Sequence, residues 1–302
     1  MRQGFVVSHD QTPIYYEVTG QPHGTPTLVL CDGAGCSGYI WKYIKSALQG
    51  HYRLIHFHYR GHGKTPQPVD IRSISIQQLA DDLALVLDAC ETSSAIVFGH
   101  SMGVQVALES YRRHPSKVSG LVLVCGTHSY PLRTFRGKDT IEKLIPWAQL
   151  LVRALPRTSN VLWSHLVPSM LAYRLASRIE VNGRLIRMED FFPYFDGIAK
   201  IDVRLLLATL RSAGKHNAFD MLSNIQVPTL IIAGKRDSFT PLRLSEEMHR
   251  GIPQAQLMVV EQGTHTTPIE HPVEVTSGII KFLQQHTATT KNRRKVVARP
   301  QI

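Results

Sequence analysis

No apolar run in this chain approaches the ~18 residues that a membrane-spanning helix needs, so no transmembrane segment is expected. Cysteine is also scarce. Cys31, Cys36, Cys90 and Cys125 are the only four, and their spacing fits neither a metal-ligand pattern nor a dense disulfide framework. Two of them stand in strand-like stretches and read as small buried hydrophobes. Met1 to His9 holds no apolar segment of secretory length. A reduced, cytoplasmic setting is therefore the default expectation. The chain also lacks a phosphate-binding loop, a dinucleotide fingerprint and any internal repeat, so neither a metal nor an organic cofactor is expected.

Acidic residues are few beside basic ones: 23 Asp and Glu stand against 34 Lys and Arg, a net charge of +11. The excess is uneven. Residues 131–217 carry 14 basic and 7 acidic residues, and 287–302 carries five basic residues (Lys291, Arg293, Arg294, Lys295, Arg299) with no acid. The remainder is close to neutral. A tail of that composition is expected to be disordered and solvated, with no specific nucleic-acid partner implied. The basic 131–217 segment motivates the expectation of an anionic substrate or an acidic interface.

What the chain does contain is a run of strands that end in reactive residues. Ala95-Ile96-Val97-Phe98 leads directly into Gly99-His100-Ser101-Met102-Gly103, and helix-forming residues follow. A strand, then G-x-S-x-G, then a helix is the sequence form of a nucleophile elbow, a turn too tight for side chains at its corners. A serine hydroxyl needs a base to take its proton and a carboxylate to orient that base. Both follow in the order that such an elbow requires. Asp237 comes after the apolar run Thr229–Ala233, and His265 after Leu257–Val260. All three groups thus lie beyond the carboxyl ends of strands, where open α/β sheets bind ligands.

Further strands are read at Pro13–Val18, Thr27–Leu30, Arg53–Phe57 and Gly120–Val124, and Ile76 to Cys90 keeps helical spacing. This alternation predicts a mostly parallel sheet flanked by helices. It stops at about Pro131. From there to about Asn217 the sequence is Leu- and Arg-rich and helical, with Pro146, Pro156, Pro168 and Pro193 expected to break it into short pieces.

These motifs, together with Asp32-Gly33-Ala34-Gly35, Arg60-Gly61-His62-Gly63, Pro241, Glu270 and Pro272, resemble the large α/β-hydrolase group of esterases, lipases and C–C hydrolases. The resemblance covers roughly residues 5 to 286. It implies an eight-stranded α/β-hydrolase core at 1–130 and 218–286, with 131–217 as an inserted helical cap. It implies Ser101 as nucleophile, His265 as general base, Asp237 as orienting acid, and the Ala34 and Met102 N–H groups as an oxyanion hole. The Asp32 and elbow segments are similar to those of monoacylglycerol lipases, which implies a short- or medium-chain ester or an acyl-glycerol. C–C hydrolysis of ring-cleavage products and cofactor-free perhydrolysis use the same three residues and stay open. A non-catalytic binding protein on the same fold is the alternative from another class.

Several histidines and one aspartate need separate readings. His100 is expected to flank the nucleophile rather than act on it. His128, just after the strand that follows the elbow, is a candidate to line the pocket, although pocket walls are largely apolar. Where the family begins its oxyanion segment with His-Gly, this chain has Asp32-Gly33. Where the family has an aspartate two residues before the next Arg-Gly, this chain has His58. A transposed pair is therefore expected, with Asp32 hydrogen-bonded to His58 beneath Ala34. Two unrelated surface substitutions are the competing reading.

Overall fold

Apolar residues run unbroken through the central strands, because parallel strands covered by helices on both faces have no wet side. A computed structural model describes residues 1–23, 25–71, 74–133, 139–171, 173–174 and 185–297. Its strands are β1 Arg2–Val7, β2 Pro13–Gly20, β3 Thr27–Cys31, β4 Arg53–Phe57, β5 Ala95–His100, β6 Val118–Val124, β7 Thr229–Gly234 and β8 Ala255–Val260. They form one sheet in the order β1-β2-β4-β3-β5-β6-β7-β8. The β1–β2 and β2–β4 pairs are antiparallel, and the remaining pairs are parallel. This is the mostly parallel, eight-stranded sheet expected from the sequence.

The two-residue alternation of a strand divides the core. Val29, Ile55, Val97, Leu121 and Ile231 face α2 (Ile76–Ala89) and α3 (Met102–Arg113). Their neighbours Leu28, Leu54, Phe98, Val122 and Ile232 face α1 (Lys42–Leu48) and the C-terminal helix. Helix α2 begins where Ser75 Oγ accepts the Gln78 N–H at 3.1 Å, a side-chain N-cap. Arg60 is fully buried at the end of β4. It binds Asp82 of α2 through Nε at 2.7 Å and Nη2 at 2.8 Å, and also reaches Ser8 and Asp10. That satisfied fork ties β4, α2 and the β1–β2 hairpin together.

Between β6 and β7 the described residues form helices and no named strand: α4 Thr140–Ala154, α5 Pro156–Leu166, α6 Met188–Ala199 and α7 Val203–Lys215. Pro156 opens α5 as its first residue, where the missing N–H is no loss. Pro146 and Pro193 do not break the chain as expected; each is accommodated inside a helix, which forfeits a hydrogen bond without ending the segment. The segment leaves and rejoins the core at an isolated antiparallel bridge between Ser129 and Asn217. After β7 come α8 Leu242–Gly251, β8, the short α9 Thr267–Glu270 and α10 Pro272–Val297. Helix α10 continues past residue 286, where the sequence reading ended the core; residues 298–302 lie outside the described residues. Among the described residues no helix is long and apolar enough to cross a membrane.

Candidate functional site

Ser101 occupies the sharp turn between β5 and α3 with φ 56° and ψ −120°, a left-handed backbone that a serine adopts only under constraint. Its neighbours explain how. A Cβ on Gly99 would lie 2.3 Å from the Gly103 carbonyl oxygen, and one on Gly103 would lie 2.1 Å from that of Cys31. Only glycine lets the strand, turn and helix approach so closely. Met102 is the first residue of α3, so its N–H has no acceptor within the helix.

The structure brings Ser101, His265 and Asp237 into one hydrogen-bonded chain. Ser101 Oγ lies 2.9 Å from His265 Nε2, and His265 Nδ1 lies 2.9 Å from Asp237 Oδ2. Nδ1–H donates to the carboxylate, which leaves Nε2 as acceptor for the serine proton. Asp237 is buried and saturated. Its Oδ1 accepts the Phe239 and Thr240 N–H groups, each at 2.8 Å, and its Oδ2 also accepts the Thr240 hydroxyl at 2.7 Å. The Phe239 ring packs over the imidazole at 4.9 Å between centroids.

Two further residues hold the His265 loop. Glu270, in α9, accepts the Thr264 N–H at 2.8 Å, the Thr264 hydroxyl at 2.6 Å and the Thr266 hydroxyl at 3.1 Å. His100 donates from Nε2 to the His265 carbonyl at 3.0 Å. Burial, followed by the charge of His265, pushes the His100 pKa down to about 4, so it is a neutral donor. It lines the cavity beside the serine.

These groups open onto a cavity of about 270 Å³. Ala34 and Met102 line it beside Ser101, and Tyr39, Leu132, Phe191, Tyr194, Leu210 and Phe239 supply much of the wall. Phe191 and Tyr194 are stacked, 7° from parallel, with centroids 5.9 Å apart. Among the described residues no Lys, Arg, Asp or Glu lines the cavity. No group of three His, Cys, Asp or Glu among them is arranged to hold a metal ion.

Two sequence expectations are corrected. Asp32 does not pair with His58. Its Oδ2 lies 2.8 Å from His56 Nε2, and its Oδ1 accepts the Trp41 indole N–H at 2.9 Å. His58 instead accepts the Lys64 N–H on Nδ1 at 2.9 Å. Gly63, at φ 53°, folds the loop backbone onto that ring so closely that a Cβ would lie 2.3 Å from Nδ1. His128 sits at the root of the inserted segment but does not line the cavity. Its ring packs on Phe219 at 5.6 Å and faces Glu247 at 3.8 Å.

Sequence reasoning missed His56, Trp41, Thr240 and the aromatic wall of α6. A signal for His56 existed. It is a polar residue inside the apolar run Arg53–Phe57, in phase with Leu54, and a buried imidazole demands a partner.

The arrangement provides a hydroxyl with a base and an oriented acid behind it, beneath an apolar cavity. Residues 26–272 match the family model described as alpha/beta hydrolase fold. A protein of Agrobacterium fabrum named "Putative carbamate hydrolase RutD" is 27% identical over 277 residues, covering 89% of this chain and 98% of its own. Among solved structures, a thermophilic esterase from Thermogutta terrifontis superposes with a TM-score of 0.76 at 21% identity, covering 95% of this chain and 100% of its own. The enol-lactonase from Burkholderia xenovorans gives a TM-score of 0.74 at 20% identity, covering 93% and 99%. With its sheet, its elbow and the match over most of its length, this chain belongs to the alpha/beta hydrolase fold family.

Proposed function

We propose that the protein hydrolyses a carboxylic ester through an acyl-enzyme on Ser101. The observation that carries this reading is the unbroken Ser101–His265–Asp237 hydrogen-bond chain opening on a neutral, aromatic-walled cavity. Ser101 Oγ attacks the carbonyl carbon while His265 Nε2 takes its proton. Asp237 holds the imidazole in the productive tautomer and stabilises its charged form. The Ala34 and Met102 N–H groups receive the developing oxyanion. His265 then protonates the leaving alcohol, and water repeats the sequence to release the acid.

Cavity size and chemistry narrow the substrate. About 270 Å³ supports a short or medium acyl group. Phe191, Tyr194, Leu210 and Ala213, all from the 131–217 segment, contribute to its lining, which supports reading that segment as a cap. C–C hydrolysis of a ring-cleavage product uses the same three residues and stays a competing reaction for the assay to separate. The name of the Agrobacterium relative makes a carbamate the second reading, since the same attack on a carbonyl serves both.

The outer helices of the segment support presentation of substrate at an acidic, apolar interface. Leu144, Trp147 and Leu151 are exposed on α4, Trp147 by 72%, and Leu162 and Leu166 are exposed on α5. Between residues 140 and 171 the lone acid is Glu142, against Lys143, Arg153 and Arg157. Apolar side chains rimmed by cations suit an anionic lipid surface.

The test is turnover of p-nitrophenyl esters from acetate to palmitate, monoacylglycerols and an aryl carbamate, alongside fluorophosphonate labelling. A short- to medium-chain optimum with labelling supports the reading. Preferential turnover of the carbamate would transfer the assignment to that class. Acyl transfer to added peroxide faster than to water would make it a perhydrolase, and no labelling at all a binding protein.

A further inference from the structure

A cluster of titratable groups lies outside the Ser101–His265–Asp237 chain and yet touches its loops. Asp32 immediately follows β3 and begins the turn that carries Gly33 and Ala34. It is 1% exposed, and His56 on the neighbouring strand is 2% exposed. The Asp32 carboxylate reaches His56 with one oxygen and the Trp41 indole with the other. On its far side, His56 Nδ1 lies 3.6 Å from Glu17 Oε1 of β2, and Lys45 of α1 binds that same oxygen at 2.6 Å. The Asp32 carboxylate thus joins the end of β3 to β4 and to the turn at Tyr39–Trp41, whose first residue lines the cavity.

We propose that Asp32 is a positioning residue: through His56 and Trp41 it fixes the Gly33–Ala34 turn, and with it the Ala34 amide that receives the oxyanion. The inference rests on the ester-hydrolysis reading of the site.

Geometry alone argues for the charge state of the pair. Both ring nitrogens of His56 face carboxylates, Asp32 on one side and Glu17 on the other. A neutral imidazole would turn a lone pair toward one of them, whereas the imidazolium donates to both. Asp32, Glu17, His56 and Lys45 then sum to zero, the condition under which charges tolerate burial. The pKa directions agree. Burial alone would lower that of His56, but the charge and hydrogen bond of Asp32 and the hydrogen bond of Glu17 raise it to about 9. Burial would raise the Asp32 pKa, but the charge and hydrogen bond of His56, together with its other neighbours including the Trp41 hydrogen bond, leave it below its ordinary value. His58, the remaining neighbour at 5.0 Å between ring centroids, is pushed down to about 4 by burial and then by the charge of His56. It stays neutral. An asparagine at position 32 keeps the shape but removes the charge that holds His56 as the imidazolium; its amide can meet only a neutral His56, as acceptor on Nε2.

The experiment pairs kinetics with imidazole NMR on the full chain, using p-nitrophenyl butyrate. In Asp32→Asn, kcat should fall about tenfold to a hundredfold with KM within about twofold, since the Ala34 amide that it positions is called on in the transition state. Wild-type His56 should remain an imidazolium at pH 8, and in Asp32→Asn it should be neutral there. Unchanged kcat in Asp32→Asn with the imidazolium lost would overturn the positioning role. A wild-type His56 that titrates near its ordinary value would overturn the pair itself. If Asp32→Asn does not fold, Trp41→Phe removes one bond and keeps the bulk; a severalfold loss in kcat at constant KM supports the proposal, and none overturns it. Absence of wild-type turnover and labelling would defeat the ester reading, and the NMR result would still decide the pair.

Discussion

His100 donates a hydrogen bond to the backbone carbonyl of His265, so the residue just before the serine also fixes the loop that carries the base. Elbow and base are coupled through one neutral imidazole, not only through the Ser101–His265 contact. His100→Leu keeps comparable volume but strands that carbonyl. The expected outcome is a loss of about 1–3 kcal/mol in denaturant unfolding and a several-fold lower kcat. Urea titration and steady-state kinetics on one preparation check both.

Ser101→Ala should abolish fluorophosphonate labelling and ester turnover. His265→Ala should lose nearly as much, because groups that act as a unit are not additive, and Asp237→Asn should be somewhat milder. Labelling that persists in Ser101→Ala would remove the serine from the mechanism.

Glu270 accepts three hydrogen bonds from the Thr264–Thr266 loop. Glu270→Gln removes the charge from all three bonds and obliges the Thr264 and Thr266 hydroxyls to turn from donors into acceptors. Stability should fall by about 2 kcal/mol, since hydrogen bonds to a charged group are the stronger kind. Thermal unfolding of wild type and variant reads this directly.

Stability should depend on pH in two windows of opposite sign. The His56 pKa is raised from 6.5 to about 9, so its contribution is complete below 6.5 and is lost as pH rises through about 9. Those of His58 and His100 are lowered to about 4, so their contribution is complete above 6.5 and is lost as pH falls toward 4. Urea midpoints from pH 4 to 10 should therefore peak near 6.5. In His56→Gln the alkaline decline should largely disappear.

Turnover of a monoacylglycerol should be faster on vesicles containing anionic lipid than on zwitterionic ones. The difference should shrink as salt rises, since a Debye length falls to about 3 Å at 1 M. Trp147→Ala should reduce vesicle-bound turnover while leaving that of a soluble ester unchanged. Equal rates on both vesicle types would exclude an acidic interface.

Ser101, Asp237 and His265 were legible in the sequence because each is fixed by local geometry, a reactive residue one turn beyond an apolar strand. The parallel strands were legible for the same reason: burial on both faces leaves unbroken apolar runs. Strand β1 was not, since on the sheet edge Arg2-Gln3-Gly4-Phe5 is mostly exposed and carries no such run. The partner of Asp32 is ambiguous in sequence because His56 in β4 and His58 just beyond it are two residues apart, their rings 5.0 Å from each other. Sequence alone does not reveal that Gly63 folds a loop onto the second and leaves the first free to meet the carboxylate. His128 was placed correctly along the chain, but ring direction is set by tertiary packing against Phe219.

Because Ser129 and Asn217 pair with each other, the two ends of the inserted helices depart from one doorway. The segment is nevertheless anchored beyond that doorway: Asp190 binds Lys42 and Tyr43 of α1, and Gln105 of α3 donates to the Ala213 carbonyl. A different insert would have to replace those anchors as well as the cavity wall that Phe191 and Tyr194 supply. Exchange of whole segments between relatives therefore has to carry its partners at Lys42, Tyr43 and Gln105 with it.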